Sequence, residues 1–235
     1  MYEKIKAEVL AANLKLVDYG LVIFTWGNVS FYDRQAKVIA IKPSGVEYAA
    51  MQASDIVIVD LAGQVIEGEL KPSSDLDTHL EIYRNFPKVN AVCHTHSKYA
   101  TSFAQANRDI ECLGTTHADY FFGPIKCTRK LTNVEIAGQY ELNTGKVITE
   151  TFQGNQLDII SCPAVLVANH GPFTVGTTVG GCVDNAKYLE EVAEMAINTY
   201  AIHPQASPAP TSLQDKHYYR KHGEGAYYGQ GTTQG

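Results

Sequence analysis

The sequence predicts one α/β domain in which helices cover both faces of a central sheet. Short β-branched runs crowd residues 21–67, and helical spacings alternate with two apolar strands after them. The 235 residues, 45% hydrophobic and 19% charged, suit a single globular unit with a sizeable core.

The elements follow in order. Residues 2–19 carry Ile5, Val9, Leu10, Leu14 and Val17 at helical spacing, and Gly20 stops the pattern. "LVIF" (21–24), "SFYD" (30–33), "KVIAIK" (37–42) and "DIVIVD" (55–60) read as strands, with "LAGQ" (61–64) as a hairpin turn. Residues 73–86 read as a helix capped by Ser74, with Asp77 three residues on as a weak capping box. "VNAVCHTH" (89–96) is a buried strand and "SKYATSFAQA" (97–106) a helix. Residues 133–153 are largely helical, "AVLVANHG" (164–171) is a second buried strand, and 182–202 is a long amphipathic helix. A Pro-rich break at 203–210 precedes a final helix carrying "LQDKHYYRKH". The pattern gives a mixed sheet and no further topology.

A net charge of −6 gives no general support to a nucleic-acid or anionic-membrane partner, so neither is expected. Five cysteines without a C-x-x-C pair argue for reduced, buried thiols and against a disulfide or thiolate-zinc framework. Glu3, Lys4, Lys6 and Glu8 interrupt the N-terminus, and no apolar run approaches the ~20 residues that span a bilayer. A cytoplasmic enzyme with a small-molecule substrate is expected.

"AVCHTHS" is the sharpest local feature. His94 and His96 are two apart, so on a strand they share a face and can hold one ion. His170 ends the other apolar strand, and Asp75 opens a helix. The same pattern also describes a pair of hydrogen-bonded histidines at a strand end. "TWGNVS" (25–30), "KPSG" (42–45) and "KPSS" (71–74) are each consistent with a plain turn or cap. Together, with Gly backbones, hydroxyls and a helix start, they form a candidate phosphate pocket.

With "GTTHADYFFG", "NHG" and the tail "DKHYYRKHGEGAYYGQ", these motifs closely resemble the class II aldolase/epimerase family of zinc-dependent sugar-phosphate enzymes. The resemblance spans nearly the whole chain and favours the family's epimerases. The family's aldolases carry Glu after the Ser-Ser pair, whereas this chain has Asp75 there, as the epimerases do. The resemblance implies one domain over 1–235, with a mostly antiparallel sheet between helical layers. It implies one Zn²⁺ per subunit, replaceable by Mn²⁺ or Co²⁺, held by His94, His96 and His170 with Asp75. Gly27, Asn28, Lys42, Ser44, Gly45, Ser73 and Ser74 are implied to hold the substrate's phosphate, and His217 and Arg220 to assist.

The implied reaction epimerises C4 of a ketopentose phosphate by cutting and re-forming C3–C4, with Asp119 and Tyr228 as acid/base groups. The alternative is a sugar-phosphate aldolase of the fuculose or rhamnulose phosphate type. The resemblance also implies a homotetramer with sites at subunit interfaces, where the segment 203–235 completes a neighbour's site. His79 and His117 are left without assigned roles.

Overall fold

Alternation along the strands decides what each face of the sheet packs against. The computed structural model describes residues 2–223 and 225–228, so Glu224 and the Gly-rich end of the tail (229–235) lie outside the described residues. The sheet comprises β1 (Asn28–Asp33), β2 (Val38–Ile41), β3 (Val57–Val59), β4 (Val65–Glu67), β5 (Ala91–His94), β6 (Ala164–Val167) and β7 (Gly171–Gly176). Their order is β4-β3-β2-β1-β5-β7-β6, and every neighbouring pair is antiparallel.

In β2, Ile39 and Ile41 face one side with Leu80 and Ile82 of helix α2 (Leu76–Asn85) and Ile148 of α6 (Tyr140–Gly154). Val38 and Ala40 face the other side, against Ile5 and Val9 of α1 (Glu3–Asp18). The long helix α7 (Val179–Ile202) covers the rest of that side, packing on β5 through Cys182 and Val183 and on α3 (Lys98–Ala106) through Leu189 and Val192. The remaining helices are α4 (Thr115–Ala118), α5 (Asn133–Ala137) and α8 (Thr211–Tyr219). Two helical layers around one sheet are the expected architecture, and the pattern's mixed sheet resolves as an antiparallel one.

Four local expectations change. "LVIF" forms no strand: Leu21 is buried, but the chain turns there, with Phe24 at φ 54° and exposed. The strand read over 164–171 stops at Val167, and Gly171 instead opens the interior strand β7 with residues 172–176, to which the pattern assigns no element. Its Gly171, Pro172 and Gly176 look like breakers, yet β5 and β6 flank it on both sides. Ser74 does not cap α2. Asp75 occupies the N-cap position, without a side-chain capping bond, and Ser74 is exposed. Residues 133–153 divide into α5 and α6 around Gly138 and Gln139. All five cysteines are free, and Cys93 packs toward α1 and α7, away from His94, as alternation requires.

Candidate metal centre and substrate cleft

The cleft lies where the start of β1 meets the end of β5, since Asn28 is the register partner of His94. His94 is fixed by the sheet. Its Nδ1 lies 2.9 Å from the Pro172 carbonyl, and its ring stacks on Phe173 at 4.1 Å. A carbonyl only accepts, so Nδ1 carries the proton and Nε2 presents a lone pair. That Nε2 is 3.0 Å from His96 Nε2. His96 lies two residues past the strand, and His170 sits in the turn between β6 and β7. The ligand nitrogens of the three lie within 4.8 Å of one another. A tetrahedral ion with N ligands at about 2.1 Å separates them by roughly 3.4 Å, so small rotations close the site.

Burial, reinforced by His94 and His96, drives the His170 pKa down to about 3. Burial and His94 also lower that of His96. Neutral imidazole is the ligating form, so the donor set fits a divalent ion. Asp75 lines the same cleft but is not one of the three converging groups. Its Oδ2 accepts a 2.6 Å bond from Asn28 Nδ2. Burial opposes its charge, but His94, His79 and Asn28 outweigh burial and hold its pKa below the usual range.

His79 is an interior histidine. Its Nδ1 lies 2.7 Å from Ser30 Oγ, which also meets Tyr83 Oη at 2.7 Å, and burial lowers its pKa to about 3.

The cleft encloses about 540 Å³ and is lined by every residue assigned to phosphate, from Gly27 and Asn28 through Lys42, Ser44 and Gly45 to Ser73 and Ser74. Lys42 is 2% exposed, and its ammonium donates to the carbonyls of Thr25 and Pro43 at 3.3 Å. Burial lowers its pKa. A buried ammonium served by neutral carbonyls favours an anionic ligand. Gly27 is required: it has φ +76°, and a Cβ there would lie 2.9 Å from the His94 carbonyl oxygen. Tyr140 and Glu141, which no sequence motif marks, line the same cleft from the start of α6; Tyr140 Oη lies 3.3 Å from His170 Nδ1.

Asp119, His217, Arg220 and Tyr228 gather elsewhere and do not line this cleft in the same chain. Asp119 ends α4. Arg220 grips its carboxylate with Nε–Oδ1 at 2.9 Å and Nη2–Oδ2 at 2.6 Å. His217 Nδ1 lies 3.1 Å from Oδ1 and Lys221 Nζ 3.5 Å from Oδ2. Burial raises the Asp119 pKa, but Arg220 and His217 overcome it and leave the pKa lowered. The Arg220 guanidinium lies 4.7 Å from the Tyr228 ring centre, and the Tyr227 and Tyr228 amides both donate to the Arg220 carbonyl. His117 holds the same loop: its Nε2 lies 2.8 Å from the Gly123 carbonyl, and burial takes its pKa to about 4.

Among the described residues, no helix is long and apolar enough to cross a membrane. A family model described as Class II Aldolase and Adducin N-terminal domain matches residues 7–197. Among solved structures, an L-fuculose 1-phosphate aldolase is 25% identical with a TM-score of 0.78, covering 92% of this chain and 95% of its own. YgbL of Klebsiella pneumoniae, a putative aldolase/epimerase/decarboxylase, is 23% identical with a TM-score of 0.71, covering 92% and 99%. An L-fuculose 1-phosphate aldolase from Glaciozyma antarctica PI12 is 20% identical with a TM-score of 0.75, covering 95% and 84%. The last two share the fold with this chain.

Proposed function

The chain belongs to the class II aldolase and adducin N-terminal domain family, and within it we propose that it is an L-ribulose-5-phosphate 4-epimerase, forming D-xylulose 5-phosphate. The observation that carries this reading is the Asp119–Arg220–Tyr228 cluster, in which two acid/base side chains share the Arg220 and Lys221 cations. Inverting C4 requires two such groups. The C4 hydrogen is not acidic, because the carbonyl is at C2. Bond cleavage solves this: a base takes the C4 hydroxyl proton, C4 becomes an aldehyde, and the C3–C4 electrons pass into an enediolate across C2 and C3. The aldehyde turns its other face, C3 attacks it, and an acid returns the proton to the new C4 oxygen. The base and the acid therefore work on opposite faces.

When bound at His94, His96 and His170, a divalent ion, Zn²⁺ by the family's habit and Mn²⁺ or Co²⁺ as substitutes, supplies Lewis-acid stabilisation of the enediolate. Lys42, Ser44, Gly45, Ser73 and Ser74, with Gly27 and Asn28, hold the phosphate, so the cleaved glycolaldehyde phosphate rotates without leaving. Asp119 is ionised at neutral pH and suits the base. Tyr228, whose phenol carries an O–H donor, suits the acid.

The separation of the Asp119 cluster from the cleft within one chain supports a homotetramer in which the cluster and tail of one subunit close over a neighbour's cleft. Free thiols and a small anionic substrate are consistent with the cytoplasm.

A second reading, a class II sugar-phosphate aldolase, is favoured by the likeness to an L-fuculose 1-phosphate aldolase. Incubation with dihydroxyacetone phosphate and an aldehyde, in parallel with L-ribulose 5-phosphate, separates the two. Net accumulation of a condensed ketose without epimerisation would replace our reading by this one.

A further inference from the structure

We infer that helix α3 is a strut that sets the spacing of the metal-binding histidines, and that Glu190 of α7 is the positioning residue that anchors it. The inference rests on His94, His96 and His170 holding a metal ion. The sheet fixes His94, but His96 and His170 lie on turns beyond strand ends, without a ladder to hold them. Both turns touch α3. His96 lies two residues before its first residue, and Asn169, next to His170, donates its amide to the carbonyl of Ala104 in the last turn at 2.8 Å.

The start of α3 lacks a local cap, since Ser97 in the N-cap position makes no side-chain capping bond. Glu190 supplies one from 91 and 90 residues away. Its Oε1 accepts from the Tyr99 amide at 2.8 Å, and its Oε2 from the Ala100 amide at 3.0 Å. Glu190 is 9% exposed, and its carboxylate sits at the positive end of the helix. A buried carboxylate spent on two amides fixes the axial position of α3, and with it the two turns that carry His96 and His170. The turns are closely opposed: a Cβ on Gly171 would come 2.9 Å from the Thr95 carbonyl oxygen, so a shift of α3 cannot be absorbed locally.

The test measures zinc affinity of the full chain by competition with a chromophoric chelator, alongside the denaturant midpoint of the metal-free protein. Glu190→Ala is expected to weaken zinc binding about 10- to 100-fold, the range for residues that orient metal ligands. Glu190→Gln, which keeps the shape and one acceptor, is expected to fall between, and it carries the test if the alanine variant fails to fold. Val9→Ala, a packing loss in α1 against β2 and away from α3, is expected to lower the midpoint and leave zinc affinity within about threefold. Glu190 variants that lose stability but bind zinc as tightly as wild type would overturn the inference, as would equal weakening in Val9→Ala. A wild-type chain that binds no zinc overturns the metal reading and this inference together.

Discussion

Replacing Asp119 with Asn should release the C-terminal tail. The carboxylate receives Arg220 at 2.9 and 2.6 Å, with His217 at 3.1 Å and Lys221 at 3.5 Å. An amide keeps one acceptor, so one arm of the Arg220 grip faces an N–H donor and the other loses its charge assistance. Charge-assisted bonds contribute about 1.5–3 kcal/mol and neutral ones about 1. These side chains are 11–24% exposed, so solvent screens part of the gain. The net loss is about 2–3 kcal/mol, or roughly a 30- to 150-fold rise in the undocked population at 1.36 kcal/mol per tenfold. Hydrogen exchange reads this directly, because the Tyr227 and Tyr228 amides are both bonded to the Arg220 carbonyl. Exchange at those amides should accelerate by that factor in Asp119→Asn. Rates within threefold of wild type would refute the assignment of Asp119 as the tail's anchor.

Other predictions follow from the same geometry. Tyr228→Phe should lower kcat by about 10²-fold or more while zinc content stays at the wild-type level, since a proton-transfer group is lost and no ligand is; metal analysis beside initial rates checks this. Lys42→Met should raise KM for the phosphorylated substrate by about 10- to 100-fold, through loss of charge-assisted bonds to phosphate, and should not raise it for an unphosphorylated ketose. The tail should also undock in acid. Folding lowers the Asp119 pKa, so its contribution is fully present above the unfolded value of about 3.9 and is lost as pH falls through the lower folded value. Proteolysis of residues 211–228 at pH 3 by an acid-active protease should exceed that at pH 5, and equal rates would contradict the pairing.

The parts of this molecule readable in the sequence were those set by near neighbours. The spacing of Ile5, Val9 and Leu10 marks α1, and the turn at 61–64 joins two paired strands because both are local patterns. β7 escaped because Gly171, Pro172 and Gly176 carry breaker signals that tertiary pairing overrides. "LVIF" misled because apolar composition does not guarantee a pairing partner. In the site, His94 and His96 are neighbours on the chain, so their approach was legible. Tyr140 and Glu141 reach the cleft only through the packing of α6, and Glu190 reaches α3 across 91 residues. Neither leaves a local mark. The resemblance brought Asp119 and Tyr228 together in role, while their shared contact with Arg220 became visible only in three dimensions.

The most direct measurement is to incubate the purified chain with L-ribulose 5-phosphate, with and without a metal chelator, and follow D-xylulose 5-phosphate. Our account predicts its formation to an equilibrium mixture, abolished by chelation and restored by Zn²⁺. No D-xylulose 5-phosphate from the metal-loaded protein, or epimerisation that persists unchanged after complete metal removal, would contradict it.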